Sequence, residues 1–95
     1  MQVEHIIREN KGTVVDVRSE EEFEYGHAKG AINIPLYEIQ ERLEELKQLP
    51  QPLVLCCASG NRSGMATSLL SSEGLDCVNG GPWYYIHELQ TLQAS

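Results

Sequence analysis

The residues best suited to chemistry lie in one short run, Cys57-Ala58-Ser59-Gly60-Asn61-Arg62-Ser63. The apolar run Leu53 to Cys56 precedes it, and Met65, Ala66, Leu69 and Leu70 recur at helical spacing after it. A chain that leaves a buried strand, turns through a glycine and enters a helix aims successive backbone N–H groups at one point. The amides of Ala58 to Ser63 are therefore expected to form an anion-binding nest, to which the following helix adds the positive end of its dipole. Arg62 adds a full charge and a planar fork suited to oxyanions. Cys57 stands at the mouth of this nest. The field that attracts an anion also stabilises a thiolate, so the Cys57 thiol should be more acidic than a free cysteine. The same field would stabilise a persulfide anion on Cys57. Gly60 allows a turn that a Cβ would obstruct, and the hydroxyls of Ser59 and Ser63 can donate to the sulfur or to a bound oxyanion. Cys56 and Cys77 lie on apolar strands and read as small buried hydrophobes.

Positioning such a loop requires a sheet with helices around it. Val3, Ile6 and Ile7 share one face of a first helix, and Thr13 to Val17 reads as a buried strand rich in β-branched residues. Ser19 caps a short acidic helix that opens with Glu20 to Glu22 and stops at Gly26. Ala31 to Ile34 is a second short strand, ended by Pro35. Leu36, Ile39, Leu43 and Leu46 predict one amphipathic helix over 36–47, and Pro50 and Pro52 bracket the turn out of it. After the strand Leu53 to Cys56, the helix behind the loop ends at Gly74. Asp76 to Asn79 is a last strand, Gly80-Gly81 a turn, and residues 82–93 a last helix. Strands alternating with helices predict an α/β domain over residues 1–95 with a central parallel sheet of four or five strands, flanked by helices on both faces. Ligands of such sheets bind beyond the carboxyl ends of the strands, where the Cys57 loop falls.

With 95 residues, 41% hydrophobic and 22% charged, the chain has an ordinary balance for one compact domain. Its net charge of −7 makes nucleic acid and anionic lipid unexpected partners. An anionic substrate must then rely on local dipoles and one or two placed cations. The polar opening MQVEHIIREN has no apolar core of a signal peptide, and no stretch approaches transmembrane length. Three cysteines, two of them adjacent, do not suggest a disulfide framework, so a reducing, cytoplasmic setting is expected.

The chain resembles the rhodanese homology domain family in three places. Cys57 to Ser63 looks like that family's Cys-x-x-Gly-x-Arg-Ser active-site loop. Asp16-Val17-Arg18, then Phe23, Gly26-His27 and Gly30-Ala31-Ile32-Asn33-Ile34-Pro35, is similar to its N-terminal signature, and Gly80-Gly81-Pro82-Trp83 to its C-terminal one. The resemblance implies a rhodanese fold and transfer of sulfane sulfur from a small anionic donor such as thiosulfate to cyanide or a thiol acceptor, a thioredoxin-like protein among the candidates. It implies no cofactor and no metal, and a monomer is expected. It makes Cys57 the nucleophile, Arg62 an anion-binding residue and Ala58, Ser59, Gly60, Asn61 and Ser63 the substrate-binding loop. Asp16 and Arg18 become structural support, with Glu22 as an ion-pair partner. His27 is expected to anchor its turn rather than act as a base, and Trp83 to pack rather than stack on substrate. Three features depart from the family pattern. Few residues precede Thr13, leaving the first edge strand truncated or missing; Ala28-Lys29 replaces an apolar-proline pair; and Ala58 stands where an arginine is common, which weakens the expected grip on thiosulfate.

Two other readings use the same residues. Counted from Cys56, the loop reads Cys-x5-Arg-Ser, the pattern of cysteine-dependent phosphatases, some of which share the rhodanese fold with certain arsenate reductases. Gly60 argues against that register, since it lies three residues after Cys57 and four after Cys56, and Leu55 stands where those phosphatases commonly have histidine. The loop from Cys57 through Arg62 has six residues, the sulfur-transfer length, where the phosphatase loop has seven and a wider ring. The other alternative is a non-catalytic rhodanese-like binding module, disfavoured because Cys57 is present.

Overall fold

The computed structural model describes residues 3–94. In chain order the elements are α1 (Val3–Arg8), β1 (Thr13–Asp16), α2 (Glu20–Tyr25), β2 (Ile32–Asn33), a 3-10 turn (Leu36–Glu38), α3 (Leu43–Lys47), β3 (Leu53–Cys57), α4 (Asn61–Ser72), β4 (Cys77–Pro82) and α5 (Trp83–Ala94). The four strands form one sheet in the order β2-β1-β3-β4. Every neighbouring pair is parallel. Among the described residues no strand precedes β1, and the sheet's edges are β2 and β4.

β3 is the pivot of this architecture. All five of its residues are buried, and it pairs with β1 on one side and β4 on the other. Successive side chains of a strand point to opposite faces. Val54 and Cys56 therefore join Ile6, Ile7, Ala28 and Ile86 in the core beneath α1 and α5. Leu53, Leu55 and Cys57 face the other way, against Val15, Val17, Ile39, Leu46, Ala66 and Leu70 beneath α3 and α4. Helices thus cover both faces, as the alternating pattern predicts. α2 has no buried residue and follows the carboxyl end of β1.

Two local expectations fail. The helix expected over 36–47 is a 3-10 turn followed by the short α3. Leu36 N–H donates to the Val17 carbonyl at 3.0 Å, which ties the start of the segment to the sheet. The chain then winds tightly, with Glu38 N–H on the Pro35 carbonyl at 2.8 Å and Ile39 N–H on that of Leu36 at 3.2 Å. An i, i+3 apolar spacing is served by either winding, so Ile39 and Leu46 are fully buried all the same.

The second failure concerns Gly80-Gly81, which is a bulge within β4 rather than a turn after it. Leu55 pairs with Asn79 and Cys56 with Gly81, so Gly80 is the inserted residue. A Cβ on Gly80 would lie 2.7 Å from Val54 Cγ1. The bulge thus brings β4 close over β3 and carries the strand on to Pro82.

Candidate functional site

The site begins where β3 ends. Cys57 is the last residue of the strand, and its sulfur lies under the loop that leads into α4. The N–H of Gly60 donates to Cys57 Sγ at 3.0 Å and that of Ser63 at 3.4 Å, while the Ser63 hydroxyl lies 3.4 Å from the same sulfur. Gly60 caps α4 with φ 104, and a Cβ there would lie 3.4 Å from Gly81 Cα. A side chain at this position would strain the left-handed turn that aims its N–H at the sulfur. α4 runs for 12 residues away from Cys57, so its positive end faces the thiol.

Burial opposes ionisation of Cys57 and is the largest single influence on it. Hydrogen bonds from the Ser63 hydroxyl and from the amides of Ser63, Gly60 and Ser59 together outweigh it, and the thiol is more acidic than usual. Cys56 goes the other way: burial, with the Asp16 carboxylate nearby, pushes its thiol well up. Two adjacent cysteines therefore differ in kind because they face opposite sides of the sheet. Cys57 is 0% exposed, whereas Ala58 and Ser59 are exposed. Asn61 is likewise exposed, and Ser63 is buried.

Arg62 stands at the first turn of α4, with its fork on Glu22: Nη1 donates to Oε1 at 2.7 Å and Nη2 to Oε2 at 3.0 Å. Glu22 is also the reciprocal member of the α2 cap. It accepts from the Ser19 N–H at 3.1 Å, while its own N–H donates to Ser19 Oγ at 3.2 Å. The Arg62 guanidinium, and then the Ser19 amide, hold the Glu22 carboxyl well below the usual carboxylate range, at about 2. Glu22 in turn holds Arg62 more firmly in its charged form. The expectation that Glu22 pairs with Arg18 is corrected: Glu22 bonds to Arg62, and Arg18 to Asp16.

Arg18 donates through Nε and Nη2 to both oxygens of Asp16, at 2.8–3.1 Å. Its Nη2 also donates to the Gly26 carbonyl at 2.6 Å, and the guanidinium lies 5.0 Å from the centre of the Trp83 ring. Trp83 packs there, half-buried, with its ring edge against Gly26. His27 stacks on Phe23 at 3.7 Å, and its Nδ1 lies 2.7 Å from the Phe23 carbonyl. A carbonyl only accepts, so Nδ1 carries a proton there and His27 closes its own turn.

One residue of the site was not singled out in the sequence. Asn79, on β4, joins Gly60, Ser63 and Gly81 through its side-chain amide. An asparagine two residues before a left-handed glycine signals such a local side-chain turn, although the sequence does not show that the turn meets the Cys57 loop. Among the described residues no group of His, Cys, Asp and Glu gathers to hold a metal ion, and no helix is long and apolar enough to cross a membrane.

The family model described as Rhodanese-like domain matches residues 2–82, and the chain belongs to this family. Thiosulfate sulfurtransferase PspE of Escherichia coli is 38% identical over 61 residues, 63% of this chain and 59% of PspE. A rhodanese-related protein of Thermoplasma volcanium superposes with a TM-score of 0.69 at 38% identity, over 80% of this chain and 77% of that one. The human single-domain sulfurtransferase TSTD1 superposes with a TM-score of 0.70 at 27% identity, over 96% of this chain and 89% of that one. Matches to three curated relatives span 50%, 35% and 59% of their lengths.

Proposed function

We infer that Cys57 carries sulfane sulfur as a persulfide, taken from a small anionic donor such as thiosulfate and passed to cyanide or a thiol. The observation that carries this reading is the setting of Cys57 Sγ, to which the amides of Gly60 and Ser63 donate and beside which the Ser63 hydroxyl oxygen lies at 3.4 Å. They favour the thiolate, the attacking form, and would equally favour a terminal persulfide anion. Similarity to PspE, a thiosulfate sulfurtransferase, supports the same chemistry.

In the loading step the Cys57 thiolate attacks the outer sulfur of thiosulfate. A new sulfur–sulfur bond forms, the bond to the sulfonate sulfur breaks, and sulfite leaves with the electron pair. The loop amides, including those of Ala58, Ser59 and Asn61, receive the charge that moves onto the departing oxygens. Arg62 joins them by exchanging Glu22 for those oxygens. Cyanide then attacks the terminal sulfur and leaves as thiocyanate, restoring the Cys57 thiolate; a thiolate acceptor leaves as its own persulfide. The phosphatase register has little support, because Cys56 faces the opposite side of the sheet and its thiol is hard to ionise.

Exposure to thiosulfate followed by intact-mass measurement tests the reading. The protein should gain the mass of one sulfur atom on Cys57 and lose it to cyanide or a small thiol. Cys57→Ser should abolish the gain, and Cys56→Ser should keep most of it. Failure to form any persulfide, together with hydrolysis of an aryl phosphate at Cys56, would move the assignment to a phosphatase.

A further inference from the structure

Asn79 lies on β4 opposite Leu55 of β3. Its Nδ2 donates to the Gly60 carbonyl at 3.1 Å, and its Oδ1 accepts from the Gly81 N–H at 3.0 Å. These two backbone partners fix the amide's orientation, since only the oxygen can face an N–H and only the nitrogen a carbonyl. The oxygen is therefore the atom that meets Ser63, whose hydroxyl donates to it at 2.7 Å. Ser63 has one hydroxyl hydrogen, and its oxygen also lies 3.4 Å from Cys57 Sγ. With Cys57 as a thiol, the Ser63 oxygen can accept the S–H while its own hydrogen serves Asn79. With Cys57 as a thiolate, the sulfur and Asn79 compete for that single hydrogen.

We propose that Asn79 is a positioning residue for the Cys57 sulfur, acting through the shared Ser63 hydroxyl and the tethered Gly60 carbonyl. The inference rests on the reading of Cys57 as a reactive thiolate. Gly60 supplies the shortest N–H contact to that sulfur, so tethering its carbonyl to β4 holds the loop closed over the nucleophile. The charged groups facing the loop are Arg62 on α4, its partner Glu22 on α2, and the Asp16–Arg18 pair at the end of β1. β3, β4 and the first turn of α5 contribute none.

Asn79→Asp tests the proposal because both routes then oppose the thiolate. A carboxylate holds the Ser63 hydrogen more tightly than an amide oxygen does, and it cannot donate to Gly60. The readout is alkylation of Cys57 by iodoacetamide, located by peptide mass spectrometry across a pH series. The midpoint should rise, and the rate near neutral pH should fall about tenfold. In a Ser63→Ala background, with the shared hydrogen gone, the same substitution should cost about threefold or less. Asn79→Ala adds no charge and keeps the test open should the aspartate variant not fold. It should speed amide exchange at Gly60 to Ser63 while β3 stays protected, and unchanged exchange would overturn the tether. A wild-type midpoint equal to that of free cysteine would sink the thiolate reading and this inference with it. An acidic wild-type midpoint that Asn79→Asp leaves in place would overturn the role of Asn79 alone, and an effect of equal size with and without the Ser63 hydroxyl would overturn its route through Ser63.

Discussion

Two arginine–carboxylate pairs flank the Cys57 loop, and water reaches them very differently. In the Asp16–Arg18 pair the side chains are 0% and 6% exposed; in the Glu22–Arg62 pair they are 39% and 35% exposed. The buried pair is fixed from several directions. Arg18 is bound to both oxygens of Asp16 and to the Gly26 carbonyl, beneath Trp83, and its own N–H also donates to Asp16 at 3.0 Å. Its Nε and Nη2 are committed to Asp16 and the Gly26 carbonyl. In the open pair the Arg62 fork lies on Glu22, which also accepts from the Ser19 N–H, and both side chains are half-exposed, so the proposed mechanism has Arg62 trade this carboxylate for another oxyanion. Two pairs with the same chemistry thus differ in setting: one is buried at the end of β1, and the other leaves Arg62 half-exposed beside the loop, where the proposed mechanism uses it.

The largest effect should come from the buried pair. Arg18→Met leaves the Asp16 carboxylate buried without its partner, a change that typically destabilises by about 3–5 kcal/mol. Urea unfolding should show that loss as a lower midpoint with an unchanged slope. A loss below about 1 kcal/mol, the level of an exposed pair, would erase the contrast between the two pairs.

Arg62→Ala should behave in the opposite way. Removing a half-exposed ion pair should change stability by less than about 1 kcal/mol. Persulfide loading from thiosulfate should nevertheless slow by on the order of 10- to 100-fold, because a charged donor to the departing sulfite is lost. Cyanide attack on the preformed persulfide should change by less than about threefold, since the sulfite has already left. The two half-reactions are to be measured separately in single-turnover experiments. Equal slowing of both would return Arg62 to a purely structural role beside Arg18.

The contrast between the pairs was only half legible in the sequence. Apolar, β-branched runs such as Thr13 to Val17 and Leu53 to Cys56 announce buried parallel strands, because both faces of such a sheet are covered. The Cys57 loop was legible because its geometry is local: a strand end, a glycine at the turn and a helix start follow one another in the chain. Partner choice among charges was not. Glu22 lies four residues from Arg18 in sequence and 40 from Arg62, yet it bonds to Arg62, because the sheet brings the start of α4 beside α2. The same limit hid Asn79, whose contacts with the loop exist only once β4 pairs with β3. It also hid the bulge at Gly80, since a pair of glycines reads as a turn unless the neighbouring strand is known.

The smallest effect, and the sharpest probe of the open pair, belongs to Glu22→Gln. Glutamine serves the α2 cap as glutamate does, so the helix start should survive. The Glu22 carboxyl is depressed from 4.5 to about 2 in the folded protein, chiefly by Arg62 and then by the Ser19 amide. A depressed acid contributes stability that is fully present above its unfolded value and lost as pH falls through its folded value. The wild type should therefore melt roughly 2–6 °C above Glu22→Gln near neutral pH, a gap consistent with a half-exposed pair in a small domain. That gap should close as pH drops from about 4.5 toward about 2, where the protonated acid and the amide become equivalent. At neutral pH the variant leaves Arg62 with an uncompensated charge and a weaker partner, so thiosulfate loading should quicken by about two- to threefold. A melting gap that persists unchanged at low pH would show that Glu22 acts through its cap and not through Arg62. Slower loading would show that Glu22 holds Arg62 in its working position instead of competing with the donor for it.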